Sequence, residues 1–374
     1  MKKSRVAIVH STYNDMYRAV SRIMELLEYE PEKNGIFIKP NLVDRFHPRK
    51  CVTTHPEFVE GLIIYFRRHY PHLEIIVGDG CAIDINYNEV VKKTGFEKLC
   101  KKYDVKLVDL AELKRKKVQF GDRHIMVPKI LDTHEYINVP KMKTHIQTTV
   151  SLGAKNQKGL LDNGTKKKFH RNFDLHKSIM KLADTIQPDL VITDAVMSLE
   201  GDGPTDMGEP RHTGLVIAST SIHAHDHAAA RCMGFDPKTI EHIKSKVNYR
   251  VVGEDIEQSI RPHLKARTDY LKVANIYIGV NDTMCTQCAV TFKELMELKW
   301  KNLPFLLRVL WHGGFKDAKY VLFGKQNGKV HDIENTITFG NCAREKGSPL
   351  LNIPGCPPTL KEMQERYIEF VKKN

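Results

Sequence analysis

The chain has 374 residues, of which 41% are hydrophobic and 28% are charged, and its formal net charge is +13. This length allows one large α/β domain with an appendage, or two domains. The positive charge is typical of proteins that bind an anionic ligand, an acidic protein or nucleic acid, and it does not separate these classes. No uncharged apolar run approaches the roughly twenty residues of a transmembrane helix, so we expect no membrane span.

The first residues are basic and then apolar, but the apolar run is too short for an export signal. We therefore expect a cytoplasmic protein whose cysteines are reduced, bound to a metal or catalytic.

Apolar runs and helical periodicity alternate along the first two thirds of the chain. The strands are predicted at residues 5–10, 36–38, 75–77, 105–108, 125–127, 136–139, 190–193 and 215–218. The helices are predicted at about 16–27, 56–66, 88–103, 175–186 and 222–233. This alternation predicts an α/β fold with a mostly parallel, Rossmann-like sheet and helices on both faces. In such sheets ligands bind at the carboxyl ends of the strands.

Beyond about residue 270 the alternation fades, and this region holds four of the eight cysteines and both tryptophans. We predict an α/β domain with an anion-binding cleft over residues 1–271. A smaller cysteine-rich, cluster-binding region is predicted over residues 272–374.

The segment 138–159 is rich in Lys, His, Thr and Asn, and no acidic residue occurs between Val139 and Lys158. A group of positive side chains placed after a strand can attract a carboxylate or phosphate. The alternative is that these lysines, like many on loops, are only solvated. We interpret the segment as one wall of an anion-binding site. The candidate ligand-binding residues lie in this segment, in the loop after strand 36–38 and in the next basic cluster. They are Lys39, Asn41, Thr54, Lys141, Lys155, Asn156 and His170. Lys143 and His145 are the candidate catalytic residues. His145, His170 and His176 are of a residue type that can act as acid or base near neutral pH.

Acidic residues lie at or after strand ends at Asp79, Asp194 and Asp202. They are candidates to bind the substrate or a metal or to orient a lysine, and helix capping is the alternative for each. Further on, His223 and His227 would share one helix face and could bind a metal. The alternative there is a helix start with Ser221 as N-cap and with Asp226 facing the cleft, where it is a third catalytic candidate.

Four cysteines near the end of the chain have a spacing typical of metal ligands: Cys285, Cys288, Cys342 and Cys356. Two cysteines separated by two residues can bind one metal centre with both thiolates, and four thiolates suit one 4Fe-4S cluster or a structural zinc. Pro357 and Pro358 after the last cysteine favour the cluster. Of the remaining cysteines, Cys51 and Cys81 are the better candidates for a functional role, because they lie on strand-end loops.

Several motifs together resemble the family known as domain of unknown function 362. They are IKPNLV, TTHP, GDG, NVPKMKTH, TVSLGAKNQKGL, VITDAV with its GDGP loop, and IAST with HDHAAA, which occur in this order between Ile36 and Gly234. The PGCPP tail is similar to that of some members. The resemblance implies an intracellular prokaryotic α/β protein, often associated with an iron-sulfur cluster, and it brings no settled reaction. Ser221 and Ile222 stand where the family is expected to carry Asp-Pro, whereas Asp226 matches its second acid.

Three functions follow as hypotheses. The first is an iron-sulfur oxidoreductase or electron-transfer protein that acts on an anionic small molecule and exchanges electrons with a low-potential carrier such as ferredoxin. The second is a non-redox lyase or isomerase acting on an anionic metabolite, with a structural or Lewis-acid cluster. The third, motivated by charge alone, is a nucleic-acid-binding module, which is disfavoured because the cations gather at strand ends. A homo-oligomer is compatible with each.

Overall fold

The computed structural model describes residues 3–83, 85–171, 174–266, 270–273, 276–279, 320–323, 332–343, 349–355 and 358–373. By their contacts the residues form two compact units, Met1–Ala266 and Arg267–Asn374. The boundary predicted between residues 271 and 272 falls just inside the second unit.

The N-terminal unit alternates strands and helices. Its strands are β1 (Ser4–His10), β2 (Gly35–Pro40), β3 (Glu74–Asp79), β4 (Lys106–Asp109), β5 (Arg115–Phe120), β6 (Arg123–Pro128), β7 (Glu135–Val139), β8 (Lys141–His145), β9 (Thr149–Ser151), β10 (Leu190–Gly201), β11 (Gly208–Ser219) and β12 (Tyr249–Gly253). Its helices are α1 (Met16–Leu27), α2 (Pro56–His69), α3 (Tyr87–Thr94), α4 (Phe96–Lys102), α5 (Gly153–Asn156), α6 (Asn163–Arg171), α7 (Leu175–Thr185) and α8 (Ile222–Cys232).

A ten-stranded sheet forms the centre of this unit. Its main order is β12-β1-β11-β10-β7-β2-β3-β4, and β8 pairs with β10 and β9. Along the main path every pairing is parallel except β1 with β11 and β10 with β11. The predicted mostly parallel α/β fold is confirmed. The carboxyl ends of β1, β2, β3, β7 and β10 consequently point to the same edge.

Helices cover both faces of the sheet, because successive side chains of a strand point to opposite sides. Ile36 and Ile38 belong to the core under α1 and α2, whereas Phe37 between them belongs to a core on the other face. Helix α8 packs on that other side of the sheet against residues of β1 and β11 such as Ile8 and Ile217.

Two element predictions needed correction. The helix predicted over 88–103 is two helices, because Gly95 between α3 and α4 adopts φ 86°, a left-handed conformation that ends α3. Strand β10 does not end near Asp194 but runs to Gly201 and pairs antiparallel with an equally long β11. No glycine or proline interrupts residues 194–200, so nothing in that sequence stops the strand.

The C-terminal unit contains a five-stranded sheet, whose strands were not predicted from the sequence. Its elements are β13 (Tyr270–Val273), β14 (Ile276–Gly279), β15 (Tyr320–Phe323), β16 (Thr336–Phe339), β17 (Leu351–Ile353) and the helix α9 (Leu360–Lys373). The sheet order is β13-β14-β15-β16-β17, and only the β13–β14 pairing is antiparallel. Strands of three or four residues are too short for a clear period-two pattern.

Candidate functional site

The candidate site is a buried polar cluster at the edge of the sheet where β2, β3 and β7 end. Lys39 lies near the end of β2 and Asp79 is the last residue of β3. Lys141 and Lys143 belong to β8, which begins directly after β7 and Pro140. Ligand sites occupy this position in open α/β sheets, so the fold brings most of the predicted residues together.

Lys39 and Asp79 form a buried ion pair, with Nζ 2.7 Å from Oδ1 and both side chains almost fully enclosed. Lys39 Nζ also donates to the carbonyl of Asn156 at 2.7 Å. The Asp79 carboxylate accepts hydrogen bonds from the backbone N–H groups of Leu42 and Gly80. Burial lowers the pKa of Lys39, and the Asp79 carboxylate opposes that shift. Asp79 therefore stabilises Lys39 and holds the two strand-end loops together.

A second group joins the loop after β2 to α5 and β8. Asn41 donates through Nδ2 to Asn156 Oδ1 at 2.9 Å, and its Oδ1 accepts from Lys143 Nζ at 3.0 Å. Thr54 receives a hydrogen bond from the Asn41 backbone N–H and donates to the Val139 carbonyl, each at 2.9 Å. These contacts place Asn41, Thr54, Lys143 and Asn156 in one network.

Lys141 lies at the centre of a tetrad with Asp194, His55 and Tyr13, in which Tyr13 is half-buried and the other three are buried. Its Nζ is 2.8 Å from Asp194 Oδ2, 2.9 Å from His55 Nδ1 and 3.2 Å from Tyr13 OH. Tyr13 OH donates to Asp194 Oδ1 at 2.9 Å, and its ring stacks on the His55 ring at 4.4 Å. Tyr13 and His55 were not among the predicted site residues.

The charges in this tetrad determine its protonation. Burial alone would raise the pKa of Asp194, but Lys141 and His55 outweigh it and hold that pKa below its ordinary value. Burial and the Lys141 charge lower the pKa of His55, so its Nδ1 accepts a hydrogen bond from Lys141. Burial, with the adjacent Asp194 carboxylate, raises the pKa of Tyr13. The tetrad therefore contains a carboxylate, an ammonium, a neutral imidazole and a neutral phenol.

Lys143 differs from Lys39 and Lys141 because it has no carboxylate partner among the described residues. Its Nζ donates to neutral acceptors, the Asn41 side chain and the Val52 carbonyl at 2.7 Å. Burial, followed by the Lys141 charge, lowers the pKa of Lys143 to about 7. At neutral pH this side chain can therefore both accept and donate a proton.

The side-chain amine of Lys155, in α5, makes neither a hydrogen bond nor an ion pair with any residue that the structure describes. It is half-buried. Burial and the neighbouring charges of Lys158 and Lys143 hold the pKa of Lys155 well below its ordinary range. Protonation of an amine that is placed near other cations is unfavourable without an anion.

Asp226 stabilises the start of α5 and so positions Lys155. Its Oδ1 and Oδ2 accept from the backbone N–H groups of Gly153 and Ala154, each at 2.8 Å. Its Oδ1 also lies 2.7 Å from His225 Nδ1, and His225 Nε2 lies 2.7 Å from Thr193 Oγ1. With these partners Asp226 acts within the described contacts as a positioning residue for α5.

The alternative to a metal site in α8 agrees with the structure. Ser221 is the N-cap, and its Oγ accepts from the Ala224 backbone N–H. His223 lies 2.9 Å from Asp184 and His227 lies 3.0 Å from Tyr249 OH, so the two rings have separate partners. No three His, Cys, Asp or Glu side chains within the described residues come together as metal ligands.

The other predicted residues have different surroundings. His145 is buried at the end of β8, and its Nδ1 accepts from the Gln147 backbone N–H at 3.0 Å. Asp202 lies in the β10–β11 loop, whose Gly201 and Gly203 carbonyls accept from Thr144 and Ile146 of the β8 segment. His170 falls in α6, and its side chain is outside the described part of the chain.

The cysteines divide into two groups. Cys51, Cys81, Cys100 and Cys232 are buried and free. Burial raises the pKa of Cys51 and Cys81, so both are protonated thiols and weak nucleophiles. Of the predicted cluster ligands, Cys285, Cys288 and Cys356 lie outside the described residues. Cys342 falls in the short helix Asn341–Ala343, and its side chain is not described.

The segments that carry Cys342 and Cys356 approach each other. The Asn341 backbone N–H donates to the Gly355 carbonyl at 2.8 Å, and the Gly355 N–H donates to Asn341 Oδ1 at 3.1 Å. These two residues directly precede the two cysteines. The residues that directly precede Cys342 and Cys356 in the sequence are thus hydrogen-bonded to each other.

Two surface hollows have described linings, and neither includes a residue of the polar cluster. One is lined by residues of the β5–β6 hairpin and α7, such as Phe120 and Lys181, and the other by residues such as Arg67 and Glu74. The candidate site is thus recognised by its buried charges rather than by a surface hollow. Within the described residues, no helix is both long and apolar enough to cross a membrane.

Comparison with known proteins agrees with the motifs. A family model described as domain of unknown function (DUF362) matches residues 36–231. Thylakoid-associated protein sll1697 of Synechocystis sp. is 29% identical over 214 residues, which are 55% of this chain and 64% of that protein. The chain therefore spans less than two thirds of that relative's length. Because the family match covers more than half of the chain and contains the polar cluster from Lys39 to Asp226, this chain belongs to the family called domain of unknown function 362.

Proposed function

We propose that this chain is an iron-sulfur oxidoreductase or electron-transfer protein that binds an anionic small molecule in its N-terminal unit. The ligand is a carboxylate or phosphate. The C-terminal unit would hold one 4Fe-4S cluster, with zinc as the alternative metal. A low-potential carrier such as ferredoxin would exchange electrons with it.

The observation that supports the anionic ligand is a pair of amines, Lys143 and Lys155, which have no carboxylate partner among the described residues. Burial lowers the pKa of both side chains, and the charge of Lys143 lowers the pKa of Lys155 further. A bound carboxylate or phosphate would offset this cost by charge-assisted hydrogen bonds. Lys39 and Lys141 already have carboxylate partners, so we assign them to supporting the site's shape and potential.

The proposed iron-sulfur cluster rests on the spacing of four cysteines and is supported by the contact between Asn341 and Gly355. Cys285, Cys288, Cys342 and Cys356 would be the ligands. Such a cluster supplies single electrons at a potential set by its ligands and surroundings.

Acid–base chemistry without electron transfer is the second candidate, and the Lys143 side chain favours it. An amine whose pKa is about 7 can remove a proton from a bound metabolite and return it. A lyase or isomerase would need this amine and the anion site, and the cluster would then be structural or a Lewis acid.

Nucleic-acid binding receives no support from the positions of the lysines. Lys39, Lys141 and Lys143 are at most 2% exposed, so they are not available to a phosphate backbone on the surface. The cytoplasm remains our proposed location. The Synechocystis relative is by its name thylakoid-associated, and cell fractionation would show whether this chain resembles it in that respect.

Anaerobic purification followed by iron and sulfide analysis tests the proposed iron-sulfur cluster. We expect about four iron and four sulfide per chain and an electron paramagnetic resonance signal after reduction. Cys342→Ser should lower the iron content, whereas Cys100→Ala, at a buried thiol of α4, should not. Absence of iron would refute the redox proposal. A cluster that cannot be reduced, in a protein that still binds the anion, would leave the second candidate.

Sulfate titration tests the proposed anion binding. We expect Lys155→Met to weaken binding at least tenfold, and Lys92→Met, at an exposed position of α3, to leave it unchanged. Equal binding by both variants would remove Lys155 from the site.

A further inference from the structure

A pair of histidines lies beside the proposed anion site, between α7 and the turn that follows α8. The Nδ1 atoms of His176 and His242 are 3.3 Å apart, and the ring centroids are separated by 5.5 Å. His176 Nε2 lies 3.1 Å from the Gln147 carbonyl oxygen. The pair is therefore fixed at one end by a backbone acceptor.

The tautomers of the pair follow from these contacts. A carbonyl oxygen can only accept, so His176 Nε2 carries hydrogen and donates to Gln147. When both rings are neutral, His176 Nδ1 is an acceptor, and His242 Nδ1 must be the donor between them. His242 Nε2 is then a bare acceptor nitrogen.

This nitrogen has no partner among the described residues. His242 is 2% exposed, and its Nε2 is buried without a hydrogen bond. Burial lowers the pKa of His242 to about 3, so it does not acquire a proton near neutral pH. A buried acceptor left without a donor costs on the order of 1–3 kcal/mol, which a donor on a ligand would offset.

Lys155 belongs to α5, which packs against α7, the helix of His176, and against α8. Its charge, like that of His176, helps to lower the pKa of His242, and the Asp226 carboxylate acts in the opposite direction. Asp226 also accepts a hydrogen bond from the backbone N–H of Gly153, the first residue of α5, which is the helix that carries Lys155. Two further polar atoms are buried without a partner among the described residues. They are Ser151 Oγ, on β9, and Oε1 of Gln147, whose carbonyl binds His176. Among the described residues this region thus combines an amine without a side-chain partner, Lys155, with at least two bare acceptors, His242 Nε2 and Gln147 Oε1.

We propose that Lys155 and His242 form a binding site for a hydroxylated anion, in which Lys155 binds the carboxylate or phosphate and His242 Nε2 accepts a hydrogen bond from a neighbouring hydroxyl group. The proposal rests on the proposed anion site and names the class of ligand that it takes. His176 is a positioning residue, because it acts by fixing the tautomer and orientation of His242.

Two pairs of probes that differ in hydroxyl groups test the proposal: glycolate with acetate, and glycerol 3-phosphate with propyl phosphate. The affinity of the wild-type protein for each would be measured by nuclear magnetic resonance titration. We expect the hydroxylated member of each pair to bind about tenfold more tightly, which corresponds to one hydrogen bond. His242→Phe should make the two affinities equal, and Lys155→Met should weaken all four probes. His227→Phe, at a histidine of α8 that contacts Tyr249, should keep the preference.

The outcomes separate this inference from the anion site itself. If wild-type protein binds both members of each pair equally, the hydroxyl site is wrong and the anion site stands. If it binds none of the four probes, both are wrong. A measurement that does not need a variant is the ¹⁵N spectrum of the histidine rings in the unliganded wild-type protein. A proton on His242 Nε2 at pH 8 would overturn the assignment.

Discussion

Lys143→Met is expected to remove a pH dependence of stability that the wild-type protein has. Burial, followed by the charge of Lys141, lowers the pKa of Lys143 from 10.5 to about 7 in the folded protein. Methionine has a similar length and does not titrate, so the comparison isolates the amine. The hydrogen bonds to Asn41 and Val52 are lost at every pH, and they contribute a constant difference.

The sign and size of the effect follow from the two pKa values. Because the folded pKa is the lower one, the unfolded chain binds more protons between about pH 7 and pH 10.5, so stability rises with pH in this window. Each unit of pKa difference corresponds to about 1.4 kcal/mol. Between pH 7 and pH 9 the wild-type free energy of unfolding should rise by about 2 kcal/mol relative to the variant.

Urea unfolding curves of both proteins at pH 7, 8 and 9 measure this difference. Lys92→Met, at an exposed position of α3, is the control, and its difference from wild type should stay constant. If the difference between wild type and Lys143→Met also stays constant within about 0.5 kcal/mol, Lys143 has an ordinary pKa and the reasoning is refuted.

Two further substitutions test the buried pairs. Asp194→Asn leaves the Lys141 ammonium enclosed without its carboxylate and should cost about 3–5 kcal/mol of unfolding free energy in urea. Asp184→Asn, at an exposed carboxylate, should cost less than about 1 kcal/mol, and similar losses in the two variants would contradict the burial argument. Gly159→Ala places a Cβ against the Asp79 carboxylate and 2.7 Å from Lys39 Nζ. It should lower the free energy of unfolding by about 1–3 kcal/mol and the melting temperature by several degrees. An unchanged melting temperature would show that this ion pair can move.

The edge of the sheet that carries the site could be predicted from sequence. Lys39, Asp79 and Lys141 each lie within two residues of the end of a predicted strand, and the carboxyl ends of parallel strands meet at one edge. The signal was local, because each residue is close in sequence to the strand that positions it.

The pairing of charges could not be predicted in this way. Lys39 meets Asp79 because β2 lies next to β3, and Lys141 meets Asp194 because β8 pairs with β10. Strand order depends on packing of the whole sheet rather than on local sequence. As a result, lysines expected to face a ligand are partly neutralised by carboxylates, and Lys155 remains unpaired among the described residues.

Tyr13 and His55 were missed for different reasons. Tyr13 follows β1, whose carboxyl end meets the same edge only because β1 and β10 run in the same direction on either side of β11. His55 was visible in the sequence as the histidine before Pro56, the first residue of α2. His55 could have been found from its position after a strand-end loop. Tyr13 could have been found only from the sheet topology.

Proton uptake on anion binding tests the central claim most directly. Sulfate is titrated into the protein at pH 8 by calorimetry in buffers of different ionisation enthalpy. With a pKa of about 7, Lys143 is about 10% protonated at this pH, and a bound anion should raise its pKa and recruit its proton. We predict uptake of about one proton or more per sulfate in the wild-type protein, and about one proton less in Lys143→Met. Sulfate binding without proton uptake, or equal uptake by both proteins, would contradict an anion site built on Lys143.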